Sequence, residues 1–155
     1  MRSVERRITR FVFVEGKRTF DLAERLIRFA SSIIELSEIL PQTFAGRHIA
    51  GQLIRSGTAP ALHYGEAQGG ESRKDFVHKM KVALKELRET FNALRIVQTA
   101  KWLSTGKLDQ VLNENNQLIS IFVRSIETAT RNDQREIGQR TKRKNNVTGR
   151  EKDEH

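Results

Sequence analysis

Between Ser72 and Leu103 the chain contains neither Gly nor Pro, a stretch that would span about 45 Å as an α-helix at 1.5 Å per residue. Within it Phe76, Met80, Ala83, Leu87, Leu94 and Val97 recur at steps of three, four or seven, with Val77, Leu84 and Phe91 beside them. That period predicts one apolar stripe along a helix, and such a stripe is stable only when another element covers it. Ser72 followed by Asp75 fits a capping box with Asp in place of the usual Glu, which fixes where the helix starts. Gly106 is the expected punctuation at its end.

Three more helical patterns supply the cover. Leu22, Leu26, Phe29, Ile33, Leu36 and Leu40 alternate by four and three, with Asp21 and Glu24 in the first turn and Pro41 closing the segment. Residues 45–68 give a weaker pattern, with Ile49, Gln52, Leu53, Ser56 and Ala59 inward and many small residues that allow close backbone approach. Here Gly57 costs about 1 kcal/mol against Ala, and Pro60 removes a bond to the Ser56 carbonyl, so a kink or break is expected near residues 56–60. The last pattern runs from Leu108 to Ala129 through Leu112, Asn115, Ile119, Phe122 and Ile126. Asn115 either sits in the core and fixes register or faces a bundle end. The only period-two alternation is FVFV near residue 11. Four amphipathic helices with short connections predict an all-α fold, an antiparallel up-down four-helix bundle.

The first helix carries a second apolar line, Phe20, Ile27 and Ile34, with Ala23 and Ala30 between the two. This is either a broad core face or a core face plus a subunit contact. The expectation adopted is a homo-oligomer that uses Phe20, Ile27 and Ile34.

At 155 residues the chain is one domain in size. With no Cys, it has no disulfide, thiolate metal site or cysteine nucleophile, which fits a reducing compartment. No apolar run approaches the length of a signal sequence core or a membrane span, so the expectation is a cytoplasmic protein. The net charge of +9 is uneven. Residues 1–19 hold six Lys/Arg against two acids, and residues 131–155 hold eight against five. The organisation expected is a basic arm at 1–19, a bundle domain at 20–130 and a charged, unstructured tail at 131–155. Basic ends on a balanced body suit a polyanion, nucleic acid first, or serve solubility alone.

On the long third helix Lys74, Lys81, Arg88 and Arg95 stand seven apart, with His78 and Lys85 on the adjoining row. A basic row of this kind can track phosphates, and binding through it is salt-sensitive because counterions are released. The alternative is a solvated face paired with Glu86 and Glu89. The site residues named are Lys74, Lys81, Lys85, Arg88 and Arg95. Aromatic residues that would stack bases are not interleaved with them, so no sequence-specific readout is expected. His48, His63, His78 and His155 lack ligand spacing, and His63 with Glu66 is too little for a metal site. Ser56 and Thr58 have no base and orienting partner nearby in sequence, and Gly69-Gly70 lacks the rest of a phosphate-binding loop. No catalytic residue, cofactor, metal or small-molecule substrate is expected.

The segment RSGTAPALHYGEAQGGESRKDFVHKMKVALKELRET, Arg55 to Thr90, resembles the defining stretch of the four-helix bundle proteins first met in intervening sequences of 23S rRNA genes. Members show an RSGTSIGAN-like run, a Glu-Ala pair, a Ser-x-x-(Asp/Glu)-Phe entry and a long helix. Arg55, Ser56, Gly57, Thr58, Glu66, Ala67, Ser72, Asp75, Phe76, Ala83 and Glu89 fall at those places, and weaker similarity runs from Phe20 to Asn132. Residues 59–63, Ala-Pro-Ala-Leu-His, replace the usual Ser-Ile-Gly-Ala-Asn, so the polar spot where the family has Asn holds His63. The resemblance implies a bacterial four-helix bundle that assembles into a ring, a pentamer. Relatives include accessory proteins of diversity-generating retroelements, which work with a reverse transcriptase and its RNA. It therefore implies a non-catalytic binding role, and with the basic row and ends the leading expectation is an accessory protein that binds RNA or DNA, with itself and a reverse transcriptase as partners. The competing reading is a structural or protein-interaction module with no nucleic-acid partner.

Overall fold

The protein is described by a computed structural model that covers the backbone of residues 16–150 and the side-chain surroundings of residues 22–143 other than Thr105. Residues 1–15 of the basic arm, and the side chain of Phe20, lie outside the described residues. Four helices follow one another: α1 (Gly16–Glu38), α2 (Phe44–Gln68), α3 (Arg73–Thr99) and α4 (Thr105–Arg150). No strand occurs among the described residues.

Cross-helix bonds fix the direction of each neighbour. Glu35 of α1 meets Lys107 at 2.6 Å, while Arg25, earlier in α1, grips Glu114, later in α4, through two bonds of 2.9 Å. On the other side Arg55 of α2 reaches Glu86 at 3.2 Å and Glu66 meets Lys79 at 2.8 Å. Gln98 bonds Asp109 at 3.2 Å and Arg73 bonds Glu136 at 3.0 Å. In all three pairs the residue numbers run in opposite senses, so α1–α4, α2–α3 and α3–α4 are antiparallel. The helices pack in chain order and α1 closes the ring on α4, an up-down four-helix bundle.

The core is the union of the apolar stripes. The six residues read as the first apolar stripe, Leu22 to Leu36 in α1 and Leu40 just past its end, are buried, as are Met80, Ala83, Leu87, Leu94 and Val97 of α3 and Leu108, Leu112, Phe122, Ile126 and Ala129 of α4. Asn115 is buried too, and its side-chain amide donates to the Leu87 carbonyl at 3.2 Å. A single polar side chain that bonds across the α3–α4 contact fixes one register, since a slip would strand it.

Helix α2 packs by closeness rather than by bulk. A Cβ added to Gly57 would stand 2.7 Å from Cγ2 of the fully buried Ile33, so Gly57 is what lets α2 lie against α1. One turn of side-chain chemistry beside it faces α3: Thr90 Oγ1 donates to Ser56 Oγ at 2.8 Å, and Ser56 Oγ donates to the Gln52 carbonyl at 2.8 Å. Of the kink or break expected near residues 56–60, the break does not occur: α2 is unbroken from Phe44 to Gln68. Proline's fixed φ is itself helical, so the cost is one backbone bond and crowding at Ser56. Pro60 is buried, as are Ser56, Gly57 and Tyr64 of the same helix, and tertiary packing of this kind overrides local preference.

The helix ends differ from the sequence reading in three places. The Ser72 hydroxyl accepts from Asp75 N at 3.1 Å, as the capping signal requires, but α3 stops at Thr99 rather than Leu103. Lys101 takes the left-handed conformation (φ 55°), with its N–H bonded to the Gln98 carbonyl and that of Trp102 to the Val97 carbonyl, a Schellman closure. Gly106 does not punctuate α3; it lies in the first turn of α4. Finally α4 does not end at Ala129. It continues through Arg150, so residues 131–150, read as an unstructured tail, extend the helix beyond its apolar stripe.

Candidate nucleic-acid interface

The side of α3 away from the core carries Lys74, Lys81, Lys85, Arg88 and Arg95, all exposed, together with His78. At 1.5 Å per residue, Lys74, Lys81, Arg88 and Arg95 stand about 10 Å apart along the axis, and the row covers about 32 Å. A helix fixes these intervals, so the row is a rigid track of cations rather than a flexible cluster.

Of the three acids on α3, Asp75 lies in the first turn, and α2 engages the other two, Glu86 and Glu89. Glu86 is buried and accepts from Arg55, and Glu89 accepts from the same guanidinium, whose other contact is Gln52. Arg55 therefore turns both carboxylates towards the α2–α3 seam. Among the described residues none of the five cations on the row takes part in an ion pair or side-chain hydrogen bond. The hallmark run Arg55-Ser56-Gly57-Thr58 is thus a helix-joining device. Arg55 and Ser56 engage α3, Gly57 admits α1, and Thr58 folds its hydroxyl onto the Ile54 carbonyl at 2.7 Å.

Lower on the same seam Lys79 bonds Glu66. The hydrogen bond and then the charge of Lys79 hold the Glu66 carboxyl below its ordinary range, with His63 adding a little, and Glu66 in turn raises the Lys79 ammonium. The stabilisation from this exposed pair is present at neutral pH. It fades as pH falls through the lowered Glu66 value or rises through the raised Lys79 value. His63 Nδ1 stands 3.8 Å from Glu66. Among the described residues no group of three or more His, Asp or Glu converges on a metal position. The depression beside Arg95, Ile96, Thr99 and Ala100 is open and shallow. Among the described residues no helix is long and apolar enough to cross a membrane.

The α1–α2 hairpin has a different character. Of the eight large apolar side chains exposed among the described residues, six lie on the α1–α2 hairpin: Ile27, Ile34, Ile39, Phe44, Ile54 and Leu62. Ile27 and Ile34, read from sequence as a line beside the core, are 59% and 41% exposed. The wide apolar arc of α1 is therefore not a broad core face within this chain.

The RSGT run thus clasps α2 to both α3 and α1 within a four-helix bundle. The pattern of the 23S rRNA-intervening sequence proteins matches residues 18–124. The chain belongs to that family. A solved structure of a protein of unknown function from the S23 ribosomal protein family of Bacteroides thetaiotaomicron VPI-5482 superposes with a TM-score of 0.64 at 25% identity, covering 68% of this chain and 97% of that one. Among curated proteins none matches. The intervening-sequence pattern ends inside α4, so the helix beyond residue 124 falls outside it.

Proposed function

We propose that this intervening-sequence family member is a non-catalytic, self-assembling accessory protein that holds the phosphate backbone of RNA or DNA along α3. The observation that carries this reading is the exposed row Lys74, Lys81, Lys85, Arg88 and Arg95, none of them in an ion pair among the described residues, from which Arg55 draws Glu86 and Glu89. Aligned cations on a rigid helix attract phosphates without reading bases. The rRNA context in the family's description and the ribosomal name of its structural neighbour support a nucleic-acid setting. Fluorescence anisotropy with a labelled duplex and a labelled single strand tests it. Dissociation constants of ~10⁻⁴–10⁻⁶ M are expected at physiological salt, tightening steeply as salt is lowered. Affinity indifferent to salt would reject an electrostatic surface.

Assembly rests on a separate observation, the apolar side chains exposed on the α1–α2 hairpin. An exposed patch of this kind suits contact between copies, and the family resemblance points to a ring of five with a reverse transcriptase as a further partner. Ile27→Glu with Ile34→Glu is expected to lower the oligomer order in light scattering while helicity by circular dichroism stays near wild type. A wild-type protein that scatters as a monomer at tens of micromolar, where a contact of about 8 kcal/mol would show, would remove assembly from the proposal. The same apolar hairpin favours the second reading, a protein-interaction module, should no nucleic acid bind at low salt.

A further inference from the structure

Helix α4 outlives the bundle it belongs to. Glu136 meets Arg73 in the first turn of α3, so residues after 136 run on past the N-terminal end of α3, about 20 Å of helix at 1.5 Å per residue. Every residue from 134 to 143 is exposed. From Ile137 to Arg150 the sequence holds five Lys/Arg and no acid. Among the described residues no hydrogen bond or ion pair ties residues 137–143 to another helix. Arg140 stands four before Lys144, a like-charge spacing that destabilises a helix. Gly138 sits mid-helix with nothing within 4 Å of an added Cβ, so its helical cost of about 1 kcal/mol has no packing return. A free helix of this length is marginal in water.

We infer that the α4 extension is a second nucleic-acid site, one that enters the major groove of B-form duplex DNA. It rests on the electrostatic reading of the chain proposed above, yet its geometry differs from that of α3. The α3 cations form a row on one side of a packed helix, suited to lying along a backbone. On the extension Arg140 and Lys142 lie on opposite sides of a helix whose residues 137–143 are all exposed. A helix inserted between two phosphate strands meets anions on both flanks, and those anions quench its internal repulsion. Its width of about 10–12 Å fits the B-form major groove, roughly 12 Å across, whereas the A-form major groove is too narrow to admit side chains. The extension begins beside Arg73, next to Lys74, so one duplex could meet it and the start of the α3 row together. It lies outside the stretch matched by the family.

The test uses the full chain and its Arg140→Gln, Lys142→Gln, Arg143→Gln triple variant, with a labelled DNA duplex, an RNA duplex of the same sequence and vesicles containing phosphatidylserine. For the DNA duplex the triple variant should bind about tenfold more weakly at low salt, with the slope of log K against log salt shallower by about 2–3, near 0.9 per lost phosphate contact. Its RNA-duplex affinity should change less than threefold, and wild-type helicity should rise on adding DNA. An equal loss on DNA and RNA overturns groove insertion, as does vesicle binding tighter than DNA binding. Unchanged DNA affinity in the triple variant, with binding still lost on charge reversal in α3, overturns this site alone. Failure of the wild-type chain to bind either duplex overturns both proposals.

Discussion

Replacing Lys81, Lys85 and Arg88 together by Glu is expected to abolish most RNA and DNA binding while the melting temperature moves little. The three side chains are exposed at the centre of the α3 row and are held by no partner among the described residues. Exposed charges of this kind contribute ~0–1 kcal/mol each to stability. For a polyanion, however, the change replaces three attractive contacts with three repulsive ones, and each phosphate contact carries its own counterion release. Anisotropy titrations at several salt concentrations, paired with thermal melts, read both quantities from the same samples. Binding that survives this reversal in a folded protein would remove α3 as the surface.

The largest expected effect on stability is at Gly57. Gly57→Val should destabilise the bundle by about 3 kcal/mol or more, since even its Cβ would meet Ile33 at 2.7 Å and the branched methyls add to the clash. Ile33 is fully buried and β-branched, so it has no easy rotamer into which to retreat. For a chain of this size the melting point should fall by roughly 2–4 °C per kcal/mol. Gly51→Ala serves as the control, because nothing lies within 4 Å of its added Cβ, and it should stabilise by about 0.4–1 kcal/mol. Equal melting points for Gly57→Val and wild type would mean that α1 and α2 do not approach as closely as described.

Where apolar bulk makes the packing, the sequence was easy to read. The stripes of α1 and α3 are made of Leu, Ile, Met and Phe at steady intervals, and their burial follows from period alone. In α2 the same logic caught Leu53 and Ser56, and the small residues were read as allowing close approach, but the burial of Gly46, Pro60, Tyr64 and Ala67 was missed. Hydropathy does not register a residue whose value lies in being small, and proline's local penalty says nothing of the contacts that override it. The C-terminal part of α4 was misread for the opposite reason. Its backbone is helical without an apolar stripe, so period had nothing to detect. The candidate site was legible as a row, because seven-residue spacing on a helix is simple geometry. Its freedom from neighbouring acids was not, since that depends on Arg55, distant in sequence and brought alongside only by the α2–α3 turn.

That arrangement separates the strength of a surface from the residues that form it. Arg55 stands on another helix and points into the seam, yet it decides whether Glu89 lends its charge to the seam or to the face beside Lys85 and Arg88. A neutral side chain at position 55 would loosen two carboxylates at once and damp the field of the row from behind, with every surface cation still in place. Variation at that one clasping position could therefore act as a volume control on polyanion affinity, inherited independently of the surface it adjusts.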